Sequence, residues 1–156
     1  MKSNPAIDDI DKRILKELQV DALLSHAELA ERVGSSPASC WRRVKALEHA
    51  GILGPAVRLL DAGKIDLGVN VLCNVRMRSH ARASIEEFED FVARRAEIMD
   101  CYSMSGDWDY LLRIVAVDVA DYEHFLMRIL LGHPSVATAS SHFALSQTKY
   151  STRLPV

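Results

Sequence analysis

The spacing of apolar residues changes along this chain, and each change predicts a different element. Between Asp8 and Asp21, residues Ile10, Ile14, Leu15 and Leu18 recur every three or four positions, which places them on one face of an amphipathic helix. Asp8 suits the N-cap, and Asp9 and Asp11 suit the positive end of the helix dipole. Ser25-His26-Ala27-Glu28 reads as a capping box. The short helix behind it is expected to bury Ala27, Leu29, Ala30 and Val33, and Gly34 ends it in the left-handed position glycine favours. Ser36-Pro37 starts a third helix, with Ser36 as N-cap and proline at the first helical position. On that helix Cys40, Val44 and Leu47 face inward, and Gly51 closes it.

Residues 52–60, ILGPAVRLL, are aliphatic and broken by Gly54-Pro55. They are expected to form a short β ribbon, a wing beside the helices. Asp61–Lys64 reads as a turn. Beyond it the period falls to two. Val71, Cys73, Val75 and Met77 alternate with Asn74 and Arg76, predicting a strand over Asn70–Met77. A helix is expected over Ser84–Arg95 with Ile85, Phe88, Phe91 and Val92 inward, and Ser84 with Glu87 as its capping box. Strands follow at Ile98–Ser105 and Tyr110–Val117. A second helix, Asp121–Leu131, buries Tyr122, Phe125, Leu126 and Ile129, and a last strand spans Val136–Gln147.

The order β-α-β-β-α-β is the split βαβ, or ferredoxin-like, unit, with both helices on one sheet face. The fold class is therefore α+β: an N-terminal winged helix-turn-helix over residues 1–54, a linker or ribbon at 55–68, and a ferredoxin-like domain over 69–156. Leu72, Leu111, Val115, Phe143 and Leu145 are expected on the uncovered face, where a second subunit can shield them.

A net charge of −2 does not announce a nucleic-acid partner, so any DNA affinity rests on a local patch. One exists. From Arg32 to Leu47 the chain carries Arg32, Arg42, Arg43 and Lys45 and no acid. On the third helix Ala38, Ser39, Arg42 and Lys45 lie opposite the core face, with Trp41 and Arg43 at the flanks and Ser36 at the cap. Small residues at the N-terminal end allow close approach to base edges. Arginine can pair with guanine O6 and N7, and lysine with phosphate. The plainer alternative is the solvated face of a surface helix.

Met104-Ser105-Gly106-Asp107-Trp108-Asp109-Tyr110 gathers a glycine, two carboxylates and two aromatics. Either carboxylate can pair with the ammonium group of a small ligand, and either aromatic can wall it. The same residues also suit a simple hairpin turn with packed aromatics. Two carboxylates without a third ligand make a poor metal cage, and no metal or other cofactor is expected. The three cysteines, Cys40, Cys73 and Cys101, form no C-x-x-C pair and read as buried thiols in a reducing cytoplasm. MKSNPAIDDIDK lacks the apolar core of a secretory leader, and no apolar run is long enough to span a membrane. No nucleophile–base motif, P-loop or dinucleotide fingerprint is present, so no catalytic residue is nominated.

Three segments, IDDIDKRILKELQVDALLSHAELAERVGSSPASCWRRVKALEHAGIL, VRLLDAGKIDLG and MSGDWDYLLRIVAVDVADYEHFL, together with the ending HPSVATASSHFALSQTKYSTRLP, resemble the Lrp/AsnC (leucine-responsive, feast/famine) transcriptional regulators. The resemblance covers essentially the whole chain. It implies a recognition helix at Pro37–Ala50 and an amino-acid effector held near Ser105–Tyr110. It also implies homodimers, often four in a ring, with double-stranded DNA outside and effectors in clefts between dimers. The last strand borders the family's pocket, which adds Ser141; Ala139 and Ser141 stand where members often carry threonine, and Ser135 where glycine is usual. The CWRRVKALE helix and KYSTRLP ending lean toward local regulators of the metabolism or transport of one amino acid. A ligand-independent architectural DNA-binding protein and a metal-dependent enzyme using Asp107 and Asp109 are the rival readings.

Overall fold

A computed structural model describes residues 7–156. The leader reading of the N-terminal stretch falls in part on residues 1–6, outside those described. The chain forms two compact units. The first runs to Leu59 and also takes in Lys149–Val156; the second is Leu60–Thr148.

The first unit holds α1 (Asp9–Leu18), α2 (His26–Val33) and α3 (Pro37–His49). Each begins where a side chain satisfies free backbone N–H groups. Asp8 accepts from Ile10 and Asp11, Ser25 from Glu28, and Ser36 from Ser39. Gly34 ends α2 at φ +68°, as glycine's missing Cβ permits. The core is Ile14, Leu15, Leu29, Ala30, Val33, Cys40, Val44 and Leu47. Ala27 corrects the expected list. It is exposed in the first turn of α2, and Leu24, ahead of the cap, packs against the cluster.

The wing is not formed. Residues 54–61 carry neither helix nor strand, and among the described residues every strand belongs to one four-stranded sheet. A ribbon needs a pairing partner for its backbone groups, and these residues have none in this sheet. Val57, Leu59 and Leu60 stand exposed.

The tail of the chain is tied to the first unit. Gln19 Nε2 donates to the Leu154 carbonyl at 3.2 Å, and the Leu154 N–H donates to Gln19 Oε1 at 2.6 Å. One primary amide thus reproduces both halves of a strand ladder. Replacing Gln19 with Ala removes both bonds, so amide exchange at Leu154 should speed up by about tenfold, from roughly 1–1.5 kcal/mol of lost hydrogen bonding. Unchanged exchange would show that this clasp does not hold the tail.

In the second unit a 3-10 turn, Ala62–Ile65, leads to β1 (Val69–Met77). There follow α4 (Arg82–Ala93), β2 (Ile98–Ser103), β3 (Tyr110–Ala116), α5 (Val119–His124) running into a π-helical segment (Phe125–Leu130), and β4 (Val136–Phe143). The sheet order is β2-β3-β1-β4, with every ladder antiparallel. Both helices bury one sheet face: Val71, Cys73, Val75, Met77, Leu112 and Ile114 pack with Phe88, Tyr122, Phe125 and Leu130. A Cβ at Gly132 would lie 2.6 Å from the Arg128 carbonyl oxygen, so the turn after the π segment closes only with glycine.

Three expectations change here. The Ser84–Glu87 box does not form: α4 starts earlier, with Ala81 at its N-cap, and Glu87 instead accepts from Ser135 Oγ at 3.0 Å. Strand β4 stops at Phe143 rather than Gln147, leaving Leu145 98% exposed beyond the sheet. Phe143 also lies on the helix side. It stands opposite Val71, and its ring meets Tyr122 edge-on with centroids 5.3 Å apart. The uncovered face carries Leu72, Leu111, Val115 and Tyr102 beside Asn70, Asn74 and an Arg113–Asp100 ion pair.

Candidate functional site

Helix α3 divides cleanly. Cys40, Val44 and Leu47 anchor it in the core, while Ala38, Trp41, Arg42 and Lys45 are exposed and Ser39 is half-buried. Ser36 Oγ accepts the Ser39 N–H at 3.2 Å and fixes the first turn. Lys45 Nζ pairs with Glu48 at 2.7 Å; both are exposed, so the pair is worth little and yields easily to a phosphate.

Arg43 departs from the expected set. Its Nη1 lies 2.8 Å from both Asp8 Oδ2 and Asp11 Oδ1, and its side chain is only 24% exposed. It reaches back to α1 rather than outward. Asp11 first, then Asp8, holds the guanidinium above its usual range. The Asp11 N–H, then Arg43, keeps the Asp8 carboxyl below its own.

The loop between β2 and β3 is closed by the Met104 N–H donating to the Asp109 carbonyl at 2.8 Å, and Gly106 turns at φ +113°. Arg76, on β1, donates from Nε and Nη2 to the Asp107 carbonyl at 3.0 and 2.8 Å, with its guanidinium 5.1 Å from the centre of the Trp108 ring. Both Asp109 carboxylate oxygens have a partner. Oδ2 accepts the Met77 N–H at 2.7 Å, and Oδ1 lies 2.7 Å from His80 Nε2. Burial raises its pKa, but the Met77 N–H and His80 outweigh that and hold the carboxyl below the ordinary value. Asp107, with Ser105 and Gly106, is exposed.

Two predicted loop partners lie elsewhere. Tyr110 is 5% exposed, packs at a tilt against Phe88 and donates from its hydroxyl to Glu89 at 3.0 Å. Burial and Glu89 push its pKa up to about 12. Ser141 lies across from Cys73 and hydrogen-bonds to the Tyr122 hydroxyl. It therefore belongs to a buried cluster two β4 positions beyond Ala139, which pairs with Val75. Arg76 and His80 were not among the expected site residues. The basic run RMRSHAR was the available signal, but nothing local tied it to a loop some thirty residues on. Cys101 is exposed, yet burial of its thiol, with Glu89 nearby, raises its pKa to about 11, which leaves the thiol protonated and unreactive near neutrality.

Helix, turn and exposed basic helix on one unit, with a braced, exposed Gly-Asp loop on a second, fit a DNA-binding regulator with a sensory domain. The chain belongs to the Lrp/AsnC family of transcriptional regulators: the AsnC-type helix-turn-helix domain matches residues 7–48, and the Lrp/AsnC ligand binding domain residues 70–154. The DNA-binding transcriptional activator DecR of Escherichia coli strain K12 is 36% identical, over 96% of this chain and 99% of its own. The glutamate uptake regulatory protein of Zymomonas mobilis is 35% identical, over 96% and 91%. A Neisseria meningitidis transcriptional regulator solved as a complex with L-methionine superimposes with TM-score 0.92 at 37% identity, covering 96% of this chain and 97% of that one. An AsnC family regulator from Agrobacterium tumefaciens gives TM-score 0.90 at 40% identity, over 95% and 96%.

Proposed function

We propose that this regulator binds double-stranded DNA through the outer face of α3 and answers to a small amino acid held at the Met104–Tyr110 loop. The observation that carries the DNA reading is the partition of α3: Ala38, Trp41, Arg42 and Lys45 are all exposed while three apolar residues anchor the opposite side. For the ligand, Asp107 is the exposed carboxylate suited to an ammonium group. Arg76 and Asp109 act as braces that fix the loop for it. The L-methionine complex of the Neisseria regulator supports an amino acid as the ligand class.

The working unit is a homodimer, assembling further toward an octamer, with the uncovered sheet face supplying an interface. An amino acid that prefers one assembly shifts the equilibrium by its difference in affinity between states, and no more. Assembly sets the spacing of recognition helices and hence which half-sites are met together. The reading extends to a cytoplasmic, non-enzymatic local regulator of amino-acid metabolism or transport. Among the described residues no helix is long and apolar enough to cross a membrane.

A thermal-shift screen of the twenty amino acids tests the ligand half. A ligand at a hundred times its Kd should add about 2.7 kcal/mol, roughly 10 °C or more for a unit of this size. If no amino acid raises the transition, the architectural reading replaces it. Selection from a randomised duplex pool tests the DNA half, and no enriched sequence would remove sequence-specific binding.

A further inference from the structure

Arg42 and Arg43 are neighbours on α3 with opposite fates. Arg42 is exposed on the outer face, whereas Arg43 turns inward to α1. The acids that hold Arg43 are also the two halves of the α1 capping box. Asp8 Oδ1 accepts the Ile10 and Asp11 N–H groups at 2.9 and 2.8 Å, and Asp11 Oδ2 accepts the Asp8 N–H at 3.2 Å. Each carboxylate therefore spends one oxygen on starting α1 and the other on Arg43. A single Nη1 joins both, so the start of α1 and the placement of α3 rest on one charged node. The node is partly sheltered, with Asp11 14% exposed, where a charged hydrogen bond is worth more than at the surface.

We infer that Arg43 is the positioning residue of the recognition helix rather than a DNA contact: by bridging Asp8 and Asp11 it sets the roll of α3 about its axis and aims Ser39, Arg42 and Lys45 outward. This rests on the DNA-binding reading above. The α3 core residues fix which face is inward, but apolar packing is non-directional. Two charge-assisted bonds from one nitrogen to two acids of α1 and its cap set orientation more narrowly.

Salt dependence separates the two roles. A residue that neutralises a phosphate contributes to the slope of log affinity against log salt; a positioning residue does not. The probe is a duplex selected by the wild-type chain from a randomised pool. Arg42→Ala should weaken binding, relax base preference and lower the slope by about one if it also touches phosphate. Arg43→Ala should weaken binding by about tenfold with the slope unchanged, and Arg43→Lys should recover part of the loss. Asp11→Asn gives the sharper contrast. Removing an acid beside a DNA-binding face should strengthen binding on charge alone, whereas a broken brace weakens it. A lowered slope for Arg43→Ala, or unchanged or tighter binding by Asp11→Asn, overturns the inference.

A second measurement needs no DNA. Urea unfolding of Arg43→Ala, Asp11→Ala and the double variant should give non-additive losses, because the two side chains share one interaction. Additive losses would refute the brace even if the wild type selected no duplex, and that last result would count against the DNA reading alone.

Discussion

Asp109→Ala should abolish amino-acid stabilisation of the protein while leaving duplex binding close to wild type. The expectation follows from the bonds Asp109 already makes. Its carboxylate accepts the partly buried Met77 N–H and meets His80, and its own N–H donates to the Val75 carbonyl. The side chain is thus a brace between the end of β1 and the loop. Alanine leaves the Met77 N–H without its acceptor, a cost of about 1–3 kcal/mol for a buried donor. The loop then loses one of its two side-chain anchors and keeps the other, Arg76 on the Asp107 carbonyl, together with the Asp109 N–H bond to Val75. Asp107→Ala offers the contrast. It removes an exposed carboxylate that braces nothing, so it should lower ligand affinity without lowering the transition temperature of the unliganded protein. Duplex binding is spared in both because the α3 face is built on a core of its own. Thermal shifts with and without the active amino acid, beside anisotropy on the selected duplex, read all three effects. If Asp109→Ala keeps the full ligand-induced shift, the bracing role is wrong.

The bonds of Asp109 show what sequence conveys and where it stops. Asp8, Ser25 and Ser36 were legible as caps because a cap and the N–H groups it satisfies lie within three residues. The alternation in β1 was equally plain, since one buried face imposes a period of two. Contacts across long separations were not. Arg43 meets acids 32 and 35 residues away, and on a helical wheel alone it belongs beside Arg42. Asp109 meets Met77 and His80 at separations of 32 and 29, so its motif carries no trace of the bonds that fix it.

Register explains Phe143. Alternation within β4 says that alternate residues share a face but not which face. That is settled by pairing Phe143 with Val71 across a ladder whose register shifts at Arg76/Met77. The wing failed for a different reason. Residues 52–60 have the composition of a strand, but strand formation also requires a neighbour, and composition carries no information about one.

Phe88→Ala is expected to give the largest loss of stability, and to give it unevenly. Phe88 is fully buried on α4, with ring centroids 4.8 Å from Tyr110, 5.8 Å from His133 and 6.1 Å from Phe91. Removing a buried phenyl ring costs about 3–5 kcal/mol, combining lost transfer energy with an unfilled cavity. For a unit of fewer than a hundred residues that is a fall of roughly 15 °C or more. The neighbours make recovery by collapse unfavourable. Tyr110 is held in place by its hydrogen bond to Glu89 and lies on the central strand β3, so it cannot swing into the gap without breaking that bond. The loss should fall on the second unit, because Phe88 belongs to the cluster of Val71, Leu112 and Ile114, while Ile14, Leu29 and Val44 form a separate one. Calorimetry of the variant should therefore show the sensory unit melting early while the helix-turn-helix unit keeps its own transition. A single transition displaced as a whole would mean that the two units unfold as one. Mutations deep in the sensory core would then weaken DNA binding through stability alone, with no ligand involved.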